Sequence, residues 1–299
     1  MKKAMALAFL AVTVAACTKQ GATPPSSAAI GVVSAENFWG SLAAQLGGDR
    51  VRVTSIISRP DTDPHDYEPT AADGRRIASA KYVLFNDIGY DGWMAKLLSA
   101  NPVPGRTVLS VGRMLGRKEG DNPHRWYFPS DVDAVVKRIA SDYKRIDPKD
   151  AAYFDERQRE VESSALSEYH RLIAEIRQKY AGTPVGASES IFAGLAEATG
   201  LKLITPFAYM RAVSDGSDPA AQDKATVDDQ IKNGLIKIFV FNSQNSTPDV
   251  RAAVNAATSR GIPTPTVTET LTPANASFQD WQSRQLRQLR DALARATGR

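Results

Sequence analysis

From residue 149 to residue 180 the chain runs without a proline or a glycine. On a helical wheel, Phe154, Val161, Leu166, Tyr169, Leu172, Ile173, Ile176 and Tyr180 fall in an arc of roughly 140°. The spacing predicts one long helix with a single apolar stripe. It divides the rest of the chain in two. On its N-terminal side, "IGVVSA", "RVRVTSIIS" and "KYVLFND" read as short strands. Between and after them, "ENFWGSLAAQLGG", "PTAADGRRIASA", "GWMAKLLSA" and "DVDAVVKRIASDYKRI" read as helices. The first buries Phe38, Leu42, Ala43 and Leu46 and stops at Gly47 or Gly48; the last takes Ser130 as its cap. On the C-terminal side the alternation resumes with strands "TPVGAS", "KLITPF", "IKIFVFN" and "PTPTVTE". Helices "SIFAGLAEATG", "ATVDDQIKNG", "TPDVRAAVNAATSRG" and "SFQDWQSRQLRQLRDALARA" lie among them, and residues 208–223 read as a polar loop.

Apolar strands alternating with helices imply parallel sheets covered on both faces. The expected fold is α/β: two lobes with parallel sheets flanked by helices, joined by one long rigid helix. The boundaries are 30–148 for the N-terminal lobe, 149–180 for the linking helix and 181–299 for the C-terminal lobe. Trp39, Trp93 and Trp281 are expected in the core.

The extreme N-terminus has a different character. "MKKAMALAFLAVTVAAC" places two lysines before an apolar run and small residues before Cys17. That is a secretory signal over 1–17, too short to span a bilayer. "VAAC" resembles the lipobox of bacterial lipoproteins, in which the cysteine is lipidated and becomes the mature N-terminus. The competing reading is ordinary cleavage with an incidental cysteine. Cys17 is the only cysteine in the chain, and it falls where lipidation needs it. Residues 18–29, "TKQGATPPSSAA", have the composition of a flexible tether. The protein is therefore expected outside the cytoplasm, held to a bacterial membrane by its N-terminal lipid and facing the periplasm or the cell surface. One cysteine allows no internal disulfide, so the core must come from chain length.

The formal charge is +4, and Lys2 and Lys3 leave with the signal, so the mature chain carries about +2. Basic residues are scattered among acids, as in "DERQRE", with no basic stripe and interleaved aromatics. Nucleic acid is not an expected partner.

There are three histidines. His65 in "DPHDYEPT" and His124 in "DNPHRWYFP" share a context: each follows a proline, sits in a loop and leads into a helix. The proline restricts the loop and so helps fix an imidazole. His170 differs, lying on the long helix about 40° outside its apolar stripe. It reads as a solvated or boundary residue. Two imidazoles are too few to close a transition-metal site, so carboxylates or thiolates must complete it. No thiolate is available. Glu189 follows the strand "TPVGAS", and Glu269 ends the strand "PTPTVTE". Both sit at carboxyl ends of strands, where open α/β sheets gather ligand groups. The pattern alone does not single them out among 33 acidic residues.

Several segments together resemble one family, the metal-binding receptor lipoproteins of bacterial ABC importers for zinc, manganese or iron. "SAENFWGSLAAQLGGDRVRV" is similar to their opening, and "DPHDYEPT" and "NPHRWY" to their first two ligand loops. "FNDIGYDGWMAKLL" is similar to the strand and helix after the first loop. "SESIFAGLAEATGL" and "VTETL" resemble the third and fourth ligand segments, and "FNSQNSTPDV" a strand–turn between them. The resemblance implies His65, His124, Glu189 and Glu269 as metal ligands, two from each lobe, around an interlobe cleft. It implies a divalent transition metal, zinc or manganese, as transported ligand, an ABC importer permease as partner, and no enzymatic activity; a monomer is expected. The family varies at the third and fourth ligands, and this chain has glutamate at both. It also lacks the loop crowded with histidines and acids that many zinc members carry. Two readings compete: a secreted metallohydrolase using the same residues, and an adhesin of the same fold. A catalytic metal needs an open position and a nearby base. Four protein donors would close the site, and no HExxH pair is present. Asp66, Glu68 and Trp126 flank the histidines and serve equally well as orienting partners or as loop packing.

Overall fold

The computed structural model describes residues 29–60, 62, 64–65, 67–245 and 247–299. The expected signal, Cys17 and nearly all of the tether lie outside the described residues, as does Asp66. Among the described residues no helix is long and apolar enough to cross a membrane.

The N-terminal half follows the alternation. In chain order it comprises β1 (Ile30–Glu36), α1 (Asn37–Gly47), β2 (Val51–Ile57), α2 (Ala71–Ser79), β3 (Tyr82–Phe85), α3 (Gly92–Ala100), β4 (Thr107–Ser110), α4 (Val111–Met114) and α5 (Pro129–Ile146). The four strands are parallel in the order β2-β1-β3-β4. Val32 lies opposite Val53 on one side and Tyr82 on the other. Successive side chains of a strand face opposite ways, and the central strands β1 and β3 are buried on both faces. Val32, Tyr82 and Leu84 enter the large core with Phe38, Leu42 and Leu46 of α1 and the apolar face of α5. Val33, Ala35, Val83 and Phe85 face a smaller core built from Ile77 of α2 and Trp93 and Met94 of α3. The Thr70 hydroxyl and the Asp73 carboxylate cap α2 reciprocally. Helix α5 is capped differently from expectation: Pro129 occupies its first turn and Ser130 makes no cap.

The segment 149–180 is helical but not uniformly so. It comprises a 3-10 turn (Pro148–Asp150), α6 (Ala151–Glu160), a π turn (Val161–Ala165) and α7 (Ser167–Tyr180). The Leu166 amide donates to the Val161 carbonyl at 2.9 Å, five residues back. The physical reason lies in the side chains. Five α-helical steps would swing Leu166 about 140° away from Val161; the wider turn returns it to the same face. Both residues are buried, together with Phe154, Tyr169, Leu172, Ile176 and Tyr180.

The C-terminal half comprises β5 (Pro184–Ala187), α8 (Ala193–Thr199), β6 (Lys202–Leu203), α9 (Phe207–Ser214), α10 (Ala221–Lys232), β7 (Phe239–Asn242), α11 (Pro248–Ser259), β8 (Thr266–Val267) and α12 (Phe278–Thr297). Its sheet is parallel in the order β6-β5-β7-β8, the same topology as the first. One expectation fails here. Residues 208–223 are not a polar loop throughout, because α9 runs into them. Tyr209, Met210 and Val213 are buried at helical spacing, and that short apolar face outweighs the polar residues beside it.

The two sheets share one core. Tyr127, from the first half, places its hydroxyl 2.9 Å from the Thr268 carbonyl and 2.8 Å from Gln285 Oε1. Helix α12 packs along α7 and reaches back to α1, where the Phe278 amide donates to Ser41 Oγ at 3.0 Å. The contact is close at Gly194, where a Cβ would lie 2.4 Å from the Tyr127 carbonyl oxygen. No larger residue fits there without displacing backbone.

In both sheets the strand order reverses between the first strand and the third. Such a switch point leaves a crevice outside the carboxyl ends of the strands. Here the two crevices face each other.

Candidate metal centre

Each half delivers side chains to that shared crevice. His124 enters from the loop before a 3-10 turn (Arg125–Tyr127) and is fully buried. Asn122 sets its orientation: Asn122 Oδ1 accepts from the His124 amide at 3.0 Å and lies 2.9 Å from Nδ1. With Nδ1–H donating there, the other ring nitrogen carries the lone pair. That atom, Nε2, is buried and makes no well-formed hydrogen bond among the described residues. The ring is walled by Trp126 at 5.3 Å and Tyr90 at 6.1 Å between centroids. Trp126 is itself stacked on Phe38 at 4.0 Å. The loop is pinned from behind, since Asn86 Nδ2 donates to the Pro123 carbonyl at 2.8 Å and Trp39 Nε1 donates to Asn86 Oδ1 at 3.1 Å.

Glu189, which is buried, and Glu269 each lie two residues beyond a strand, β5 and β8 respectively. Asn122 Nδ2 donates to the Ser190 carbonyl at 2.7 Å, so the residue that orients His124 also ties down the segment carrying Glu189. Glu269 Oε1 stands 3.4 Å from His124 Nε2. One donor atom each from His124, Glu189 and Glu269 lies within 4.8 Å of the others. An imidazole nitrogen facing two carboxylates is an arrangement that a cation on that nitrogen, a proton or a metal ion, stabilises.

His65 is placed differently. It is exposed, and its ring meets the edge of Tyr90 at 4.8 Å between centroids. It lines, with Glu189, Asn242, Gln244 and Glu269, a cavity of about 430 Å³ between the halves. Three of the four expected ligands are thus brought together, and His65 stands at the mouth of the same cavity. His170 is remote from it, with its Nε2 3.2 Å from Asp133 Oδ1 at the surface.

The electrostatics suit a cation. Burial would raise the Glu269 carboxyl, but His124, then His65 and the Tyr90 hydroxyl outweigh it and hold it below the usual carboxylate range. Tyr90 Oη donates to Glu269 Oε2 at 3.0 Å. Burial, then the charge of Glu269, push the Tyr90 phenol well up, so it keeps the proton it donates. Arg125, adjacent to His124, turns away to Asp131, with Nε 2.7 Å from Oδ2, and adds no competing charge.

Two groups near the site escaped sequence reasoning. Asn242, at the end of β7, donates from Nδ2 to Glu189 Oε2 at 3.3 Å and to Glu269 Oε1 at 3.0 Å. Nothing in "FNSQNS" marks that asparagine apart from its position after a strand. The second is an acid pair, Glu36 at the end of β1 and Asp91. Both are fully buried. Asp91 accepts from the amides of Asn86 at 2.7 Å and Asp87 at 2.6 Å, while no donor reaches the Glu36 oxygens. Burial, reinforced by Asp91, raises Glu36 well above the carboxylate range. A neutral Glu36 adds no third negative charge beside Glu189 and Glu269.

The pair has a measurable consequence. The folded state keeps a proton that an ordinary glutamate, with a pKa of about 4.3, gives up on unfolding. That stabilisation is complete below the unfolded value and is lost as pH rises through the raised folded value. Glu36→Gln should flatten the fall in stability between about pH 5 and about pH 8. Urea midpoints for the metal-free protein at both pH values test this; an unchanged pH dependence in the variant would refute it.

Comparison with known proteins gives one consistent result. A family model described as zinc-uptake complex component A, periplasmic, matches residues 32–292. The manganese ABC transporter substrate-binding lipoprotein PsaA of Streptococcus pneumoniae is 23% identical over 252 residues, covering 78% of each chain. The iron-binding protein YfeA of Yersinia pestis is 26% identical over 213 residues, covering 68% of this chain and 66% of that one. Among solved structures, a manganese-bound periplasmic metal-binding protein from Candidatus Liberibacter asiaticus superposes with a TM-score of 0.73 at 19% identity. The match covers 88% of this chain and 98% of that one.

Proposed function

Because this chain belongs to the family of periplasmic zinc-uptake components, we propose that it is an extracytoplasmic receptor for a divalent transition metal, held between its two halves and passed to an ABC permease. The observation that carries this reading is the convergence of His124, Glu189 and Glu269 within 4.8 Å at facing switch points. We assign these three as ligands and His65, at the mouth of the same cavity, as the fourth. Two carboxylates balance the charge of a divalent cation, and neutral imidazoles add none. Four protein donors close a four-coordinate site, which suits capture and transfer. A hydrolase would need an open position with a base beside it. Cys17 is the proposed lipid anchor and residues 18–29 the tether, with 30–148 and 181–299 as the two lobes and 149–180 as the link.

Metal uptake in cells tests the reading. Cells lacking this protein and grown in metal-depleted medium should recover zinc or manganese accumulation when the wild type is supplied. They should not recover it with His124→Ala expressed at the same level. Equal recovery by both forms would defeat the assignment.

A further inference from the structure

The two glutamates differ from free carboxylates in one respect. Neutral donors of the protein engage one oxygen of Glu189 and both oxygens of Glu269. Tyr90 Oη donates to Glu269 Oε2 at 3.0 Å. Asn242 Nδ2 donates to Glu189 Oε2 at 3.3 Å. The same Nδ2 reaches Glu269 Oε1 at 3.0 Å, the oxygen that faces His124 Nε2. An amide nitrogen carries two hydrogens, so one can go to each carboxylate.

The orientation of this amide is forced. Asn242 is buried, and its Oδ1 accepts from the Gln244 amide at 3.0 Å. A flipped side chain would set a donor against that backbone N–H and an acceptor against two carboxylates. The backbone of Asn242 is fixed as well, its amide donating to Ser188 Oγ at 3.3 Å. The clamp therefore rests on β5 and β7, the two strands that flank the second switch point.

Resting on the receptor reading above, we propose that Asn242 is a specificity-determining positioning residue, which bridges Glu189 and Glu269 so that each presents a single oxygen to the metal and the site selects zinc over manganese. The reason is coordination number. Zinc is content with four donors in tetrahedral array. Manganese prefers an octahedral, oxygen-rich shell. With two histidines fixed in number, extra oxygens can come from the glutamates only if they chelate through both oxygens. Chelation by Glu189 breaks the Asn242 hydrogen bond, and chelation by Glu269 breaks the Tyr90 one. The first bond is buried and the second partly so, and losing a partner away from water is costly.

The experiment compares wild type, Asn242→Ala and Tyr90→Phe. Tyr90→Phe keeps the ring packing and removes only the hydroxyl, so it serves even if Asn242→Ala folds poorly. Dissociation constants for zinc and for manganese are measured by competition calorimetry, and X-ray absorption at the metal edge counts the donors. Zinc outcompetes manganese at most nitrogen and oxygen sites, so the informative quantity is the change in their ratio. We expect the preference for zinc to shrink by roughly 10-fold or more in each variant, the size typical of residues that hold ligands in place. The donor count around manganese should rise in the variants above that in wild type. If wild type and variants bind both metals with the same ratio and the same donor count, the inference about Asn242 is overturned and the receptor reading stands. If wild type binds neither metal, both fall.

Discussion

His124→Ala should weaken zinc binding by at least about 100-fold. The closed four-donor zinc sites of small domains bind with about 10–16 kcal/mol, so one donor carries about 3 kcal/mol. His124 should be worth no less, because its environment is already prepared for a metal. Asn122 fixes the ring at 2.9 Å, Trp126 and Tyr90 wall it, and the bare Nε2 points at Glu269 Oε1 across 3.4 Å. Alanine leaves two buried carboxylates facing each other with a donor missing. Glu189→Ala and Glu269→Ala should also weaken binding strongly, and each removes a charge that balances the cation. His170→Ala is the control. Its ring is paired with Asp133 at the surface, with side-chain exposure of 38%, and it touches no group of the cleft. Calorimetric titration of wild type and these four variants decides the matter. A His170→Ala variant that loses as much affinity as His124→Ala would sink the assignment.

The second large effect is on thermal stability. A ligand that binds only the folded state stabilises it by about 2.7 kcal/mol at one hundred times its dissociation constant. For a chain of this size each kcal/mol moves Tm by about 2–4 °C, so metal should raise Tm by about 5–10 °C. Chelator should return the transition to its starting point, and the increment should vanish in His124→Ala. The donors come from loops of both halves, so the metal holds together a surface that carries like charge without it. Differential scanning calorimetry with and without zinc or manganese measures the shift. A melting curve that neither metal moves would contradict the site as assigned.

Much of this was legible in the sequence because it depends on local rules. Strand–helix alternation gives parallel sheets, and the Pro-flanked histidines mark loops at strand ends. The apolar stripe from Phe154 to Tyr180 marks the long link. The rest depends on distances that a sequence does not carry. Asn242 matters because two strands bring it beneath two glutamates that lie 53 and 27 residues away in the chain. Nothing in the sequence sets Tyr90 apart, yet its hydroxyl spans 179 residues to Glu269. Glu36 sits in an apolar strand, where its buried partner Asp91 could not be foreseen. The π turn was hidden because wheel arithmetic assumes a constant 3.6 residues per turn. His65 shows a different limit. The motif places it in a ligand loop, but whether the ring points into the cleft or lies at its mouth depends on packing against Tyr90.

Helix α12 and Tyr127 weave the two halves through a single apolar interior. The repeated β2-β1-β3-β4 topology suggests two self-sufficient units, but the symmetry is topological and not energetic. Cutting the chain within the link would leave the apolar faces of α7 and α12 open to water, and the first half would keep only the smaller core between its sheet and helices α2 and α3. The two halves thus share their main interior. The cleft is accordingly a seam over a shared interior and not a gap between two separate ones.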